Sequence, residues 1–566
     1  MQFNTLQFMF AFLPVALVGY WLLVRFASGA VALAWLLLMS VVFYAHASLV
    51  SLAIVVPSIL FDYAVARALL RIDSSERRLR AALFVVGIVA NIAFLGYFKY
   101  KNFFLDTTNT LLATHFELAR TILPLGISFL TFQKVAFLAD VQSGRVKAVR
   151  IADFLLFTLF FPRTVAGPIV HYGEVMPQLG NVESRSIMSH LAVGVALFSI
   201  GLFKKTVVAD SVAQFVPTAF DTALSDRPPE LITAWCSVLA YTYQLYFDFS
   251  GYSDMALGVA QMFGVRLPMN FNSPLKASSI VEFWSRWHIS LTRFLTAYIY
   301  TPIVLHLTRR RMAKGKPVLR GKRSTLPAIA ILVGWPTLIT MVLSGFWHGA
   351  GWQFVVWGLL HGIYLAINQS WRMLRPRFWS DQANYDRVMK PLGFVLTFGA
   401  VVVALVFFRA NSVTAALSVL SGMVGMNGIF SSDIQLLQSV GVDMRAFRTL
   451  TLPLTTFYWL IALFIAVTLL PNSLELLRRF QPALDFPELE AEAPRRPVVP
   501  AMMVQSSSGS WRTLIARQLC AAWSAAARLR YEGVALNRFT AVVAALMCVL
   551  GIMALNRGGT FLYFQF

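Results

Sequence analysis

The sequence predicts an all-α, polytopic integral membrane protein, and three observations carry that prediction. First, of 566 residues 58% are hydrophobic and only 13% charged, with a mean hydropathy of +0.66, whereas roughly a quarter of a soluble protein is charged. Second, the apolar residues gather into many blocks close to the ~20 residues that a bilayer-crossing helix needs. Third, Lys and Arg outnumber Asp and Glu by 48 to 26, and the excess sits between those blocks. Eight Lys/Arg and no acid lie between Thr308 and Ser324, with further basic groups at Arg71, Arg77, Arg78 and Arg80 and from Arg372 to Lys390. Such spacing is that of cytoplasmic loops under the positive-inside rule; no aromatic-interleaved basic module for nucleic acid is present.

The elements follow in order. Phe8 to Val24 is the first span; with no positive segment ahead of it, it reads as a retained helix and not a cleaved signal. Arg25 behind it places the N-terminus outside, at the periplasmic face. Ala30 to Ala45 and Ser48 to Phe61 return the chain to the cytoplasm at Arg67 to Arg80. Ala81 to Phe98 goes out, and Ile122 to Leu138 comes back to Arg145, Lys147 and Arg150. Phe154 to Phe161 is too short to cross and ends at Pro162 and the turn pair Gly167-Pro168, so it is expected to be re-entrant. His190 to Phe203, Ile232 to Val265 and Ile280 to Leu307 follow. Three simple crossings would leave the basic loop after Thr308 on the wrong side, so at least one of them must be broken, re-entrant or interfacial.

Leu326 to Phe346 and Trp352 to Asn368 form a hairpin with basic ends and the apex Ser344-Gly345-Phe346-Trp347-His348-Gly349-Ala350-Gly351-Trp352, placed at or beyond mid-membrane. Leu392 to Phe408, a weaker stretch from Ala415, and Leu452 to Leu470 complete a membrane core over 1–480. A polar linker rich in Pro, Glu, Ser and Arg follows from Gln481, with a basic interfacial helix at Ser524 to Arg530, so that 481–530 is cytoplasmic. The last unit, 531–566, holds the span Phe539 to Leu555 and an aromatic tail expected at the outer face. No internal repeat of the transporter kind is visible.

Chemistry is sought among polar residues that interrupt apolar blocks. HExxH, Gly-x-Ser-x-Gly, Gly-x-Gly-x-x-Gly and His-x4-Asp patterns are all missing from the sequence, and Cys236, Cys520 and Cys548 supply no CxxC, so no metal site is expected. His348, at a hairpin apex between glycines, is the leading candidate; its alternative is a core histidine satisfied by a carbonyl. His288 lies in the polar stretch Phe283 to Leu291, which suits either a wet cavity or an amphipathic surface helix. Gln244, Asp248, Ser250 and Tyr252 break the apolar Ile232 to Val265 stretch, and Gln244 and Asp248 share one helical face. With Trp287 and Trp347 beside the two histidines, they are candidate tunnel-lining residues. His361, in Gly358-Leu359-Leu360-His361-Gly362, fits a small-residue packing pattern.

At these residues the sequence resembles the membrane-bound O-acyltransferase (MBOAT) family, in the bacterial branch that includes alginate O-acetylation and teichoic-acid D-alanyl transfer. The resemblance runs through Phe161-Pro162-Arg163-Thr164-Val165-Ala166-Gly167-Pro168, Tyr246-Phe247-Asp248-Phe249-Ser250-Gly251-Tyr252-Ser253-Asp254, Asn270-Phe271-Asn272-Ser273-Pro274, Trp287-His288-Ile289-Ser290-Leu291, Ser344-Gly345-Phe346-Trp347-His348-Gly349 and Phe407-Phe408-Arg409-Ala410. Arg163 and His171 depart from relatives that often carry Gln and Arg there, and the linker from Gln481 is long.

The resemblance implies a helical membrane fold with a central tunnel, in which a cytoplasmic thioester donor meets an acceptor from the other side. It implies that His348 is the principal catalytic histidine, a neutral imidazole of pKa near about 6.5 able to take a hydroxyl proton. His288 matches the second functional histidine, orienting reactants or bonding the oxyanion. The tail Phe561 to Phe566 resembles one in which a tyrosine, here Tyr563, carries the acyl group transiently; an interfacial aromatic anchor is the alternative. The function expected is therefore that of an inner-membrane O-acetyltransferase in exported-polysaccharide or alginate biosynthesis. Its donor would be acetyl-CoA, with no permanently bound cofactor, and a periplasmic SGNH-type or alginate-acetylation acyltransferase would be its partner. D-Alanyl transfer from a carrier-protein thioester, a lipid-linked sugar transporter and a membrane scaffold are the competing functions.

Overall fold

The structure, a computed structural model, describes the chain except residues 74, 119–121, 181–186, 226–227, 322–323, 380, 430–453, 485–528, 530–531, 556–560 and 563–566. The described residues are helical without strands; Pro268 and Leu484 form one isolated bridge. Among the described residues, seven helices are long and apolar enough to cross a membrane: Phe8–Phe26, Gly29–Ala47, Leu49–Arg71, Arg77–Leu112, Ile187–Ala213, Leu326–His348 and Gln382–Arg409. Val413–Met423, Thr455–Leu469 and Arg538–Met553 are shorter apolar helices. Local chemistry sets several boundaries. The Ser28 and Ser48 hydroxyls accept the amides of Val31 and Ser51 and so start the second and third helices.

Helix ends sort into two faces. Arg77 begins a helix that reaches Lys99, and Ile127–Gln142 runs back beside it, with Lys99 bonded to Ser128 at one end and Arg80 to the Gln142 carbonyl at the other. Leu326–His348 leaves the basic loop, where Arg377 donates to the Ser324 carbonyl, and Trp352–Leu374 returns to Arg372, which bonds Ser279. Arg71 to Arg80, Gln142 to Arg145, the loop after Ala313 and Arg372 to Arg377 thus mark one basic face, and Lys99 and His348 lie toward the opposite one. At ~1.5 Å per residue, 23 residues put His348 ~34 Å along its helix, well past the middle of a ~30 Å hydrocarbon layer.

Two buried features knit the bundle. Lys134 pairs with Asp62 at 3.0 Å while Asn91 donates to the same carboxylate at 2.6 Å, which joins three helices by a buried polar cluster. The second is a close crossing of Leu231–Met262 with Ile187–Phe203. Gly201 faces Gly251 and Gly194 faces Gly258, and a Cβ on any of the four would stand 2.6–2.7 Å from the facing carbonyl oxygen. This 32-residue helix is buried almost throughout, and the candidate site is assembled around it.

Two expectations from charge parity and length meet their structural form here. The short Phe154 stretch becomes the helix Ile151–Leu159 followed by non-helical residues 160–170, every one of them buried; irregular backbone survives at this depth because protein, not lipid, surrounds it. Of the three segments before the basic loop, Ile280 to Leu307 is the broken one: Ile280–Arg286 ends, and Ile289–Leu295 starts after His288. The linker and interfacial helix expected over 481–530 lie almost wholly outside the described residues; the linker's first residues dock on the core, where the Leu484 amide donates to Leu267 O at 2.9 Å. Of the tail, Phe561 and Leu562 are described, and both are buried, at 2% and 8% exposure, against the Leu231–Met262 helix.

Candidate active site

His348 is the last residue of its helix, and the extended Gly349 follows. A helix that ends inside the protein leaves carbonyls that water cannot satisfy, and a neighbouring helix supplies the donors. The Tyr100 hydroxyl donates to Phe346 O at 2.8 Å; the Lys99 ammonium donates to Trp347 O at 2.6 Å and to His348 O at 3.3 Å. A cation at a helix C-terminus also opposes the negative end of the dipole. On the next helix Phe354 fills the space left by Gly345 and Gly349, where any Cβ would collide with its carbonyl or its ring. The imidazole is therefore fixed from its backbone outward, and it packs edge-on to Trp357 and Phe408, each with ring centroids 5.1 Å away.

His288 occupies the break between two short helices in a left-handed backbone conformation, φ 43°, which costs a non-glycine residue about 1–3 kcal/mol. The loop before it holds that conformation. Asn272 N donates to Arg286 O and Ile289 N to Asn270 O. The Asn270 carbonyl oxygen gathers the Ser290 hydroxyl at 2.9 Å, the Ser290 amide at 3.4 Å and His288 Nδ1 at 3.0 Å. A backbone amide can only donate, so that atom is the oxygen and His288 Nδ1 must carry the proton. In the neutral ring Nε2 then keeps its lone pair. His361 has the opposite tautomer, because its Nδ1 accepts the Trp284 indole N–H at 3.3 Å.

Three spaces adjoin this cluster. A cavity of about 100 Å³ is lined by Lys99, Ser128, Phe129, Trp347 and His348. A larger one of about 610 Å³ is lined by Lys99, Gln244, Gly349, Gln353 and Arg409 among others. Toward the basic face, His348 meets only a gap of about 10 Å³ among Leu245, Phe283, Trp287, Trp357, His361 and Leu405, hardly room for one water. Beyond Trp284, which bonds His361, lies a further cavity of about 320 Å³ with Tyr300, Thr337 and Gln369 in its wall. The central tunnel expected of the fold is therefore a series of chambers in this conformation, interrupted by the aromatic layer around His361. The buried indole N–H groups of Trp347 and Trp357 have no acceptor among the described residues, and both rings touch His348.

The structure brings both His288 and His348 against Trp347, with ring centroids 6.2 and 4.6 Å from it. His288 is buried at 0% exposure, so the surface-helix alternative does not hold. Gln244 lines the large cavity, Trp347 the 100 Å³ cavity and Trp287 the narrow gap. Asp248, Ser250 and Tyr252 line none of the four spaces. Asp248 pairs with Lys205 at 2.7 Å and accepts the Leu562 amide at 3.1 Å, and Tyr252 stacks on Phe561 at 4.4 Å, so these two seat the tail. Tyr563 lies outside the described residues. Lys99, Tyr100, Asn270 and Trp357 are site residues that the sequence did not single out.

Comparison with known proteins follows from the same chain. Residues 80–315 match MBOAT, the membrane-bound O-acyltransferase family. The chain is 39% identical to the peptidoglycan O-acetyltransferase of Helicobacter pylori over 455 residues, 75% of this chain and 80% of that protein. It is 36% identical to the probable alginate O-acetylase AlgI of Pseudomonas aeruginosa, over 74% of this chain and 73% of the relative. Identity falls to 29% with the teichoic acid D-alanyltransferase of Streptococcus thermophilus, over 50% of this chain and 68% of the relative.

Proposed function

Because the chain belongs to the membrane-bound O-acyltransferase family, we propose that it takes acetyl from acetyl-CoA at the basic, cytoplasmic face and delivers it toward an exported polysaccharide at the other. The membrane is then the bacterial inner membrane, with a periplasmic acyltransferase completing transfer to the glycan. The observation that carries this is the position of His348: its ring closes one end of the far-side cavity while its other side abuts the aromatic layer toward the basic face. A group in that place can meet a hydroxyl from one direction and a thioester from the other.

The step balances simply. A hydroxyl oxygen attacks the thioester carbonyl as its proton passes to the lone-pair nitrogen of neutral His348. The tetrahedral oxyanion accepts hydrogen bonds from buried donors, of which the Trp347 and Trp357 indole N–H groups are the nearest to hand. Collapse breaks the C–S bond, the thiolate takes the proton back from imidazolium, and the products are an O-acetyl ester and CoA thiol. His288, with its proton held on Nδ1 by Asn270, offers Nε2 as a second acceptor that orients the attacking hydroxyl.

We assign that first hydroxyl to Tyr563, one residue beyond the seated Leu562, as a transient carrier. Support comes from burial of Phe561 among core aromatics, since an interfacial anchor would leave it against lipid. The test uses the purified full chain with radiolabelled acetyl-CoA. His348→Ala should lower acetyl release by about 10²–10⁴-fold, and unchanged release would leave a transporter as the better reading. Tyr563→Phe should insert normally yet form no labelled protein and no acetylated product; normal product would remove the carrier.

A further inference from the structure

Two neighbouring lysines in the interior take no part in the acyl-transfer step written above. The helix Ile187–Phe203 continues into the π-helical turn Lys204–Ala209, a widening of the spiral that is frequent at functional sites. Lys205, 2% exposed, stands 2.7 Å from Asp210 Oδ1 and 2.7 Å from Asp248 Oδ1. The other Asp248 oxygen, Oδ2, accepts the Leu562 amide at 3.1 Å. Lys204 turns elsewhere. It meets Asp254 at 2.7 Å and the Ser473 hydroxyl at 3.1 Å, and the adjoining Asn472 donates to Asn272 and Ser273 in the loop that holds His288. One turn of helix thus ties down the tail with one lysine and the His288 loop with the other.

We propose that Lys205 is a positioning residue for acyl transfer: it fixes the Asp248 carboxylate so that the tail is held at one register and the residue after Leu562 is presented beside His348. A buried carboxylate with nothing to offset it is costly. Lys205 offsets it and claims Oδ1, which aims Oδ2 at the tail. The resulting carboxylate–amide bond is charge-assisted, about twice as strong as one between neutral groups. Leu562 lines the same chamber of about 610 Å³ as Gly349, the residue after His348, and the Cα of residue 563 can lie no more than about 3.8 Å from that of Leu562. The register at Leu562 therefore sets where the Tyr563 hydroxyl starts. Without that bond the tail regains backbone freedom, and a reactant that is tethered but not oriented loses the rate advantage of fixed geometry. Asp210 alone would balance the Lys205 charge; the second carboxylate, whose remaining oxygen goes to the tail, is what a packing role leaves without a purpose. The positioning role rests on the reading of Tyr563 as carrier; the seating of the tail does not.

The test digests the full chain in detergent with a carboxypeptidase and, on separate samples, follows labelling of Tyr563 from radiolabelled acetyl-CoA. In the unaltered protein digestion should stop before Leu562. Lys205→Met should let it run past Leu562 and Phe561 and should slow Tyr563 labelling about tenfold, with KM for acetyl-CoA unchanged. Lys205→Arg, which keeps the charge, should recover part of both effects, which a misfolded variant would not do. Lys205→Met combined with Asp248→Asn should be no worse than the worse single variant, because both act through the one bond to Leu562. Lys204→Met should leave the tail protected. Labelling at the unaltered rate in Lys205→Met overturns the proposal, as does a loss confined to KM. So does equal exposure of the tail in Lys204→Met, which would make both lysines general braces of the bundle. An unaltered chain that never labels Tyr563 defeats the carrier reading, and tail protection then decides the Lys205 seat by itself.

Discussion

The two sides of the His348 ring are built from different materials. Toward the far face it meets chambers of about 100 and 610 Å³ bordered by Lys99, Gln244 and Arg409; toward the basic face it meets a gap of about 10 Å³ walled by Phe283, Trp287, Trp357 and His361. One side is open, polar and held by hydrogen bonds to backbone. The other is closed by stacked rings, with Trp284 and His361 standing between the gap and the next chamber of about 320 Å³. On the proposed reaction, the difference teaches that the half assigned to the acceptor is preformed and that the half assigned to the donor must open. Stacked aromatics can part by rotamer changes, whereas the Lys99 clasp cannot loosen without leaving helix-end carbonyls bare at a depth where water does not replace them.

By that contrast, the largest effect after loss of His348 or Tyr563 comes from the clasp. Lys99→Met keeps the length of the side chain and removes the donors to Trp347 O and His348 O. A shift of about 1 Å in the imidazole then costs about 10²-fold in turnover. The expected result is that kcat for acetyl release from acetyl-CoA falls by about that factor with KM unchanged, measured without saccharide. A loss confined to KM would mean that Lys99 touches the donor and does not position the ring. Asn270→Ala comes next. It strands two buried donors, His288 Nδ1–H and the Ser290 hydroxyl, at about 1–3 kcal/mol, and it frees the tautomer. Release should drop by about tenfold, while Asn270→Asp, which keeps an acceptor oxygen, should stay within a few-fold; equal losses in both would remove the tautomer argument.

Much of this was legible in the sequence, and the reasons are physical. His348 and His288 stood out because titratable groups in apolar blocks are costly unless enclosed by protein, and charge parity required that at least one of three segments, the one holding His288 among them, be broken, re-entrant or interfacial. The clasp was not legible. Lys99 looked like any lysine at a span end, and its partner carbonyls are 248 and 249 residues away. Asn270 stood only within a stretch that carries the family resemblance, with no role attached, since only the fold brings it to His288. Asp248 read as a polar wall residue because nothing in sequence announces Lys205, 43 positions earlier, as its buried ion-pair partner. The tail was open for a similar reason: a run of aromatics after the last span suits an interface and an interior groove equally well, and the amide of Leu562 on Asp248 seats its first residues in the interior.

The smallest expected effect tests the closed side directly. Trp284→Phe preserves an aromatic ring in the layer but removes the indole N–H that His361 accepts at 3.3 Å. The deletion forfeits one long hydrogen bond and leaves a ring nitrogen unsatisfied, roughly 1–2 kcal/mol. In a chain of this size that is a fall of only about 1–4 °C in the unfolding temperature. Because Trp284 stands behind His361 and Trp357 and makes no contact with His348 in this conformation, acetyl release should change by no more than about threefold, the measure of about 0.65 kcal/mol in barrier. A rise in turnover would fit an aromatic plug that opens more readily once its hydrogen bond is gone. A loss as deep as that of Lys99→Met would place Trp284 in the chemistry and abolish the distinction between the two sides, since its indole N–H bonds His361 and its path to His348 runs through the packed layer itself.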